Sequence, residues 1–110
     1  MQARLILEHG GHAITKRVEL TEAPAVGSVV MAERERAVVS VEHDAARGET
    51  DVYLRKDALD LKMQTLPEAH LAYLELMKGD GWEIEDETVL RVELRHLIDR
   101  QDEDEPVDPN

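Results

Sequence analysis

The chain contains no cysteine and no phenylalanine. Without thiols there is no disulfide framework, no thiolate zinc site and no cysteine nucleophile, which fits a reducing interior and leads us to expect a cytoplasmic protein. Aromatic residues are confined to Tyr53, Tyr73 and Trp82, too few to stack the bases of a single-stranded nucleic acid. The core must therefore be aliphatic. No run approaches the ~18–20 apolar residues of a membrane span. Residues 1–8 alternate and soon meet a charge, unlike the apolar centre of a signal peptide, so no membrane partner is expected. Basic residues are scarce as well: 13 Lys and Arg stand against 25 Asp and Glu, a formal net charge of −12. Direct nucleic-acid binding is disfavoured, because it usually rests on a Lys/Arg stripe that displaces counterions from the phosphates. No G-x-S-x-G elbow, G-x-x-x-x-G-K loop, G-x-G-x-x-G turn, H-E-x-x-H helix or calcium loop occurs, so no enzyme class is legible and no cofactor is implied.

What remains suffices for one folded unit. Leu, Ile and Val fill 28 of 110 positions, above the aliphatic content at which disorder sets in, and this length suits a single domain. The charge is unevenly placed. Through Ala58 there are 8 basic and 10 acidic residues, and beyond it 5 and 15, so the two parts carry −2 and −10. Residues 101–110 hold mutually repelling acids and two prolines, and we expect a disordered acidic tail there, following one β-rich domain over 1–100.

Alternation marks the strands. Ala3, Leu5 and Leu7 share one parity, as do Ile14, Val18 and Leu20, and His9-Gly10-Gly11-His12 places two glycines where a tight turn needs positive φ. Residues 3–20 are thus predicted to form an antiparallel hairpin. Further strands are expected at 28–33, 37–43 and 50–55, with a break at Arg34-Glu35-Arg36 and a loop at 44–49. Five short strands in this span argue for a small antiparallel barrel or a strongly curled sheet. Thr65-Leu66-Pro67-Glu68 offers a capping hydroxyl, an early proline and a Glu three residues on, and Gly79 and Gly81 offer a stop. A helix at about 66–78 follows. Trp82 and Ile84 alternate with Glu83 and Glu85 as in a strand. Residues 88–98 fit both periods; Val89 and Val92 favour a strand over 88–95, while Leu90, Leu94, Leu97 and Ile98 fit a helix. The class is α+β.

Pro24-Ala25-Val26-Gly27-Ser28-Val29-Val30, followed by Arg36 to His43 and then Val52-Tyr53-Leu54, resembles small SH3-like barrels in which P-x-x-G precedes a valine strand. The similarity spans about residues 24–55. Many such barrels are phage and mobile-element accessory proteins, so the resemblance implies a compact scaffold whose loops or sheet edge bind something. Peptide-binding members line a proline groove with several aromatics, whereas residues 1–65 hold only Tyr53, which argues against polyproline recognition.

Three constellations invite chemistry. His9 and His12 flank the glycine turn, facing each other across the hairpin, and could share a divalent metal if Glu8, His43, Asp44, His70 or His96 completed the set; a small metal-dependent hydrolase would be built this way. His43-Asp44 could pair a base with an orienting carboxylate, although neighbours in a strand point to opposite faces. Glu83, Glu85, Asp86 and Glu87 could supply acid–base chemistry, but their alternation also suits a solvated strand face. The leading expectation is a non-enzymatic acidic protein that docks these four carboxylates on a basic surface of a partner protein, a nucleic-acid-binding protein being one class that carries such a surface, in the manner of a phage-type inhibitor or adaptor. The alternative is a structural subunit that self-associates through a sheet edge or through the helix face around Leu71 and Leu74.

Overall fold

The computed structural model describes residues 1–104. Strands β1 (Gln2–His9) and β2 (His12–Glu19) form the expected hairpin, with His9 paired to His12. Gly10 and Gly11 both have positive φ, 62° and 81°, the conformation that lets a two-residue turn match the strand twist. β3 (Val29–Met31), β4 (Glu35–Asp44) and β5 (Glu49–Leu54) follow. Helices α1 (Ala58–Gln64) and α2 (Pro67–Gly79) precede a two-residue strand β6 (Glu83–Ile84) and the long helix α3 (Glu87–Asp104).

The sheet has six strands in the order β3-β4-β5-β1-β2-β6. Of the two expected forms it is not the barrel, since β3 and β6 lie at opposite ends of this order, and an open sheet agrees with the curled-sheet alternative. Nor is it wholly antiparallel. β5 runs parallel to β1, with Leu5 opposite Val52, and the β3–β4–β5 meander lies on the far side of β1 from its hairpin partner. That register puts Ala3, Leu5, Leu7, Val52 and Leu54 on one face, where they pack with Leu71, Leu74 and Met77 of α2, Leu90 and Leu94 of α3, and Trp82. Aliphatic side chains do the filling that phenylalanine does in other cores.

Helix α1 was not expected. Asp57 caps it, accepting from the Asp60 N–H at 3.0 Å, while the Asp60 carboxylate accepts from the Asp57 N–H at 2.7 Å, a reciprocal cap with Asp in the role usually taken by Glu or Gln. α2 lies within a residue of the predicted span, but Thr65 does not cap it. The Thr65 hydroxyl donates to the Lys62 carbonyl at 2.7 Å and so closes α1, and Pro67 opens α2 behind an N-cap Leu66 with no side-chain bond.

The strand expected over 88–95 is helical. Leu90 and Leu94, one turn apart, are buried, whereas Val89 and Val92 are 53% and 63% exposed. Burial of the i,i+4 leucines outweighs the small helical penalty of two solvent-facing valines, and Arg91 donates back to Glu87 at 2.6 Å. The helix also runs through the first four residues of the expected tail; 105–110 lie outside the described residues. No helix among the described residues is long and apolar enough to cross a membrane.

Candidate functional site

With one face of the sheet under the helices, the other is left open. Its floor comes from the opposite parity: Ile6 of β1, Ala13 and Thr15 of β2, and Tyr53 of β5 line adjoining hollows, the larger of about 640 Å³. A register shift in β4 between Val38 and Ser40 accompanies the outward exposure of Val39, which also lines this hollow, as bulges commonly re-aim a side chain. Arg4 sits in the floor but donates to Asp51 through Nε and Nη2, both at 3.2 Å, so its charge is matched locally. The Tyr53 hydroxyl donates to Glu42 at 3.4 Å; partial burial and the carboxylates of Glu42 and Asp51 push its pKa up, which keeps it a donor.

The acidic rim stands on β6. Glu83 pairs with Thr15 and Ile84 with Ile14, and the Glu85 N–H donates to the Ala13 carbonyl at 2.8 Å. Asp86 follows with φ 51°, a left-handed turn that Asp tolerates better than most residues. Glu83, Glu85 and Asp86 are exposed and form no side-chain ion pair among the described residues. Glu87 differs. It accepts from Lys78 at 2.8 Å and Arg91 at 2.6 Å, bonds that hold its carboxyl below the usual range, the first of which fastens α3 to α2. Three of the four expected acids therefore face outward together, two of them on the groove, and the fourth is engaged within the fold.

The expected histidine pair is cross-strand, yet its members sit in different surroundings. His9 is fully buried, stacked on Tyr73 with ring centroids 4.6 Å apart, its Nε2 3.7 Å from the Asp60 carboxylate. His12 is half-buried, 4.0 Å from Glu93. Of the five further ligands considered, His70 comes closest to His9, its ring centroid 4.6 Å away, whereas His12 gathers with Glu85 and Asp86, all three within 4.8 Å of one another. Glu8 pairs with Lys56, His43 approaches the Thr50 hydroxyl, Asp44 caps the 45–48 turn through the Ala46 and Arg47 N–H groups, and His96 is exposed on α3. His43 and Asp44 thus have separate partners and form no base–carboxylate pair.

Sequence reasoning missed a buried polar cluster. Arg36 holds Asp60 with two bonds of 2.6 and 2.7 Å, also donates to Glu33 and to the Arg55 carbonyl, and meets the Tyr73 hydroxyl at 3.2 Å. Arg34 adds a bond to Asp60 at 2.8 Å. Burial alone would raise the Asp60 pKa, but the bonds and charge of Arg36 and the bonds from Asp57 together outweigh it and hold the carboxyl well below its ordinary value. The Asp57-x-x-Asp60 spacing was the one local sign of this cluster.

The hairpin turn abuts it. A Cβ on Gly10 would lie 2.5 Å from Cε1 of the buried His70 ring, whereas one on Gly11 would meet nothing within 4 Å. Both glycines have positive φ, so Gly11→Ala carries only the backbone cost, about 1 kcal/mol. Gly10→Ala adds overpacking and should cost about 2–4 kcal/mol in urea unfolding; equal losses would show that the ring yields freely.

No family model, curated protein or solved structure matches this chain, so the functional reading rests on the geometry alone.

Proposed function

We propose that this is a non-enzymatic interaction domain that docks on a basic surface of a partner protein through the open face of its sheet. The observation that carries the reading is the placement of Glu83, Glu85 and Asp86: exposed, outside any ion pair among the described residues, and beside an apolar floor of Ile6, Ala13 and Tyr53. Carboxylates already matched within the fold would have to give up their partners on docking, whereas these three lose only hydration. Complementary potential speeds encounter and selects the partner, and the apolar floor supplies burial once contact is made. Nucleic-acid-binding proteins are one class that carries a suitable basic surface, and an inhibitor or adaptor role of the phage accessory kind suits a domain that acts through a docking face.

Of the two routes of the alternative, self-association through a sheet edge or through the helix face around Leu71 and Leu74, the second has less support, because both side chains are buried in the core.

Chemical-shift mapping tests the proposal with a short synthetic peptide alternating lysine and valine. The expected perturbations centre on Ala13, Thr15, Tyr53 and residues 83–86. Perturbations spread evenly over every acidic position, or none at low salt, would overturn it.

A further inference from the structure

The buried joint between the β1–β2 hairpin and α2 contains groups that neither docking nor the Arg36–Asp60 cluster accounts for. His9 and His70 are 0% and 2% exposed, and their rings lie 4.6 Å apart at 56°. Neither nitrogen of His9 has a hydrogen-bond partner, nor does Nε2 of His70. Buried polar atoms are nearly always paired, so three unpartnered nitrogens in two touching rings call for an explanation.

We propose that His9 and His70 form a proton-sensed latch, which holds α2 on the hairpin while both rings are neutral and releases it when they take up protons. In the closed joint each ring acts as an apolar plate. His9 stacks on Tyr73 of α2, and His70 packs against Gly10, where a Cβ would already collide. A proton added to either ring places a cation in a site closed to water and next to its neighbour.

The surrounding groups mostly oppose that charge. Arg36 of β4 and Lys56, just before α1, disfavour protonation of His9, and His12 of β2 disfavours protonation of His70. Tyr73 of α2 is occupied by a bond to Glu33 at 3.1 Å. The favourable groups are Asp60 of α1, whose carboxylate is already shared by Arg34 and Arg36, and Glu93 of α3, which faces His12 rather than the latch. Burial first, then His70, lowers the His9 pKa from 6.5 to about 4; burial first, then His12, lowers that of His70.

The sign follows from linkage. A histidine whose value is depressed by folding binds its proton more readily when the joint is open, so the latch is intact above about pH 6.5 and loses hold as the pH falls toward about 4. Asp60 cannot produce this loss, because its depressed carboxyl keeps its contribution until the pH drops below its ordinary value of 3.8.

Urea unfolding of the full chain tests the latch. Between about pH 6 and about pH 5 the folded-to-unfolded ratio of the wild type should fall by about sevenfold through His9 alone, and by more once the lowered His70 is counted. His70→Gln should reduce that fall to about sevenfold or less, and His9→Phe, which keeps the ring stack, should reduce it to the part His70 supplies; if His9→Phe does not fold, His70→Gln alone decides. In parallel, the imidazole Cε1 proton shift of His9 in the wild type should stay at its neutral value down to about pH 5, and that of His70 should move only below the ordinary histidine range. A ratio that barely changes over this range, a fall that persists undiminished in His70→Gln, or rings that titrate at the ordinary histidine value would each overturn the proposal.

Discussion

Replacing Asp60 by alanine is expected to remove about 3–5 kcal/mol of stability, the usual cost of stranding one partner of a buried ion pair. A domain of this size holds ~5–15 kcal/mol in all, so the variant should lose a large share of its stability and unfold at much lower urea. Arg36 is the reason. Its side chain is almost fully buried, and without Asp60 both terminal nitrogens lose their carboxylate acceptor, leaving Tyr73 and the Arg55 carbonyl in their place. Glu33 still accepts from Nε, which limits the loss but does not close the shell. The same change removes the reciprocal cap of α1. A double replacement, Asp60→Leu with Arg36→Met, should recover much of the loss because no charge is then left buried and unmatched. Urea unfolding of the two single variants and the double variant checks both statements. A single Asp60→Ala cost below about 1 kcal/mol would mean that water reaches Arg36.

Reversing the rim has the largest expected effect on binding. Glu83, Glu85 and Asp86 changed together to lysine should weaken the hold on a lysine-rich peptide by roughly a hundredfold, taking about 1 kcal/mol for each reversed contact. The remaining affinity should also lose most of its salt dependence between ~0.05 and ~0.3 M, where screening shortens the reach of surface charge. Glu87 is left out of the set on purpose. Its bond to Lys78 joins α3 to α2 and its bond to Arg91 braces the first turn of α3, so its reversal would disturb the fold and the surface together.

Parts of this structure can be read directly from short stretches of chain. The Gly10-Gly11 pair announces its turn because no other residue type accepts two successive positive φ angles so readily, and Pro67 opens a helix because its missing N–H is not needed there. Other parts depend on partners distant in sequence. Helix α1 shows no clean apolar face, since Leu59 and Leu61 are both more than half exposed; it is held by Asp60 reaching Arg36 on β4. The parallel pairing of β5 with β1 leaves no local trace, because alternation is the same in either direction. Helix α3 was ambiguous from Val89 and Val92, and only the core meeting Leu90 and Leu94 decides between the two periods. The acidic rim was visible as composition, but the difference between Glu85 and Glu87 lies in where Lys78 falls. His9 was visible as one of a metal-like pair, whereas its contact with His70 depends on how α2 lies over the hairpin.

Net charge alone could attract a basic peptide to any face of a chain carrying −12, and a comparison at matched charge separates that from a defined patch. Affinity is measured by calorimetry for Glu83→Lys/Glu85→Lys/Asp86→Lys and for a control with the same charge change at Glu22, Glu35 and Glu68, which are also exposed and outside ion pairs among the described residues. Loss of roughly a hundredfold in the first and about threefold or less in the second is the expected result. Equal losses in the two would contradict a docking face on the open sheet.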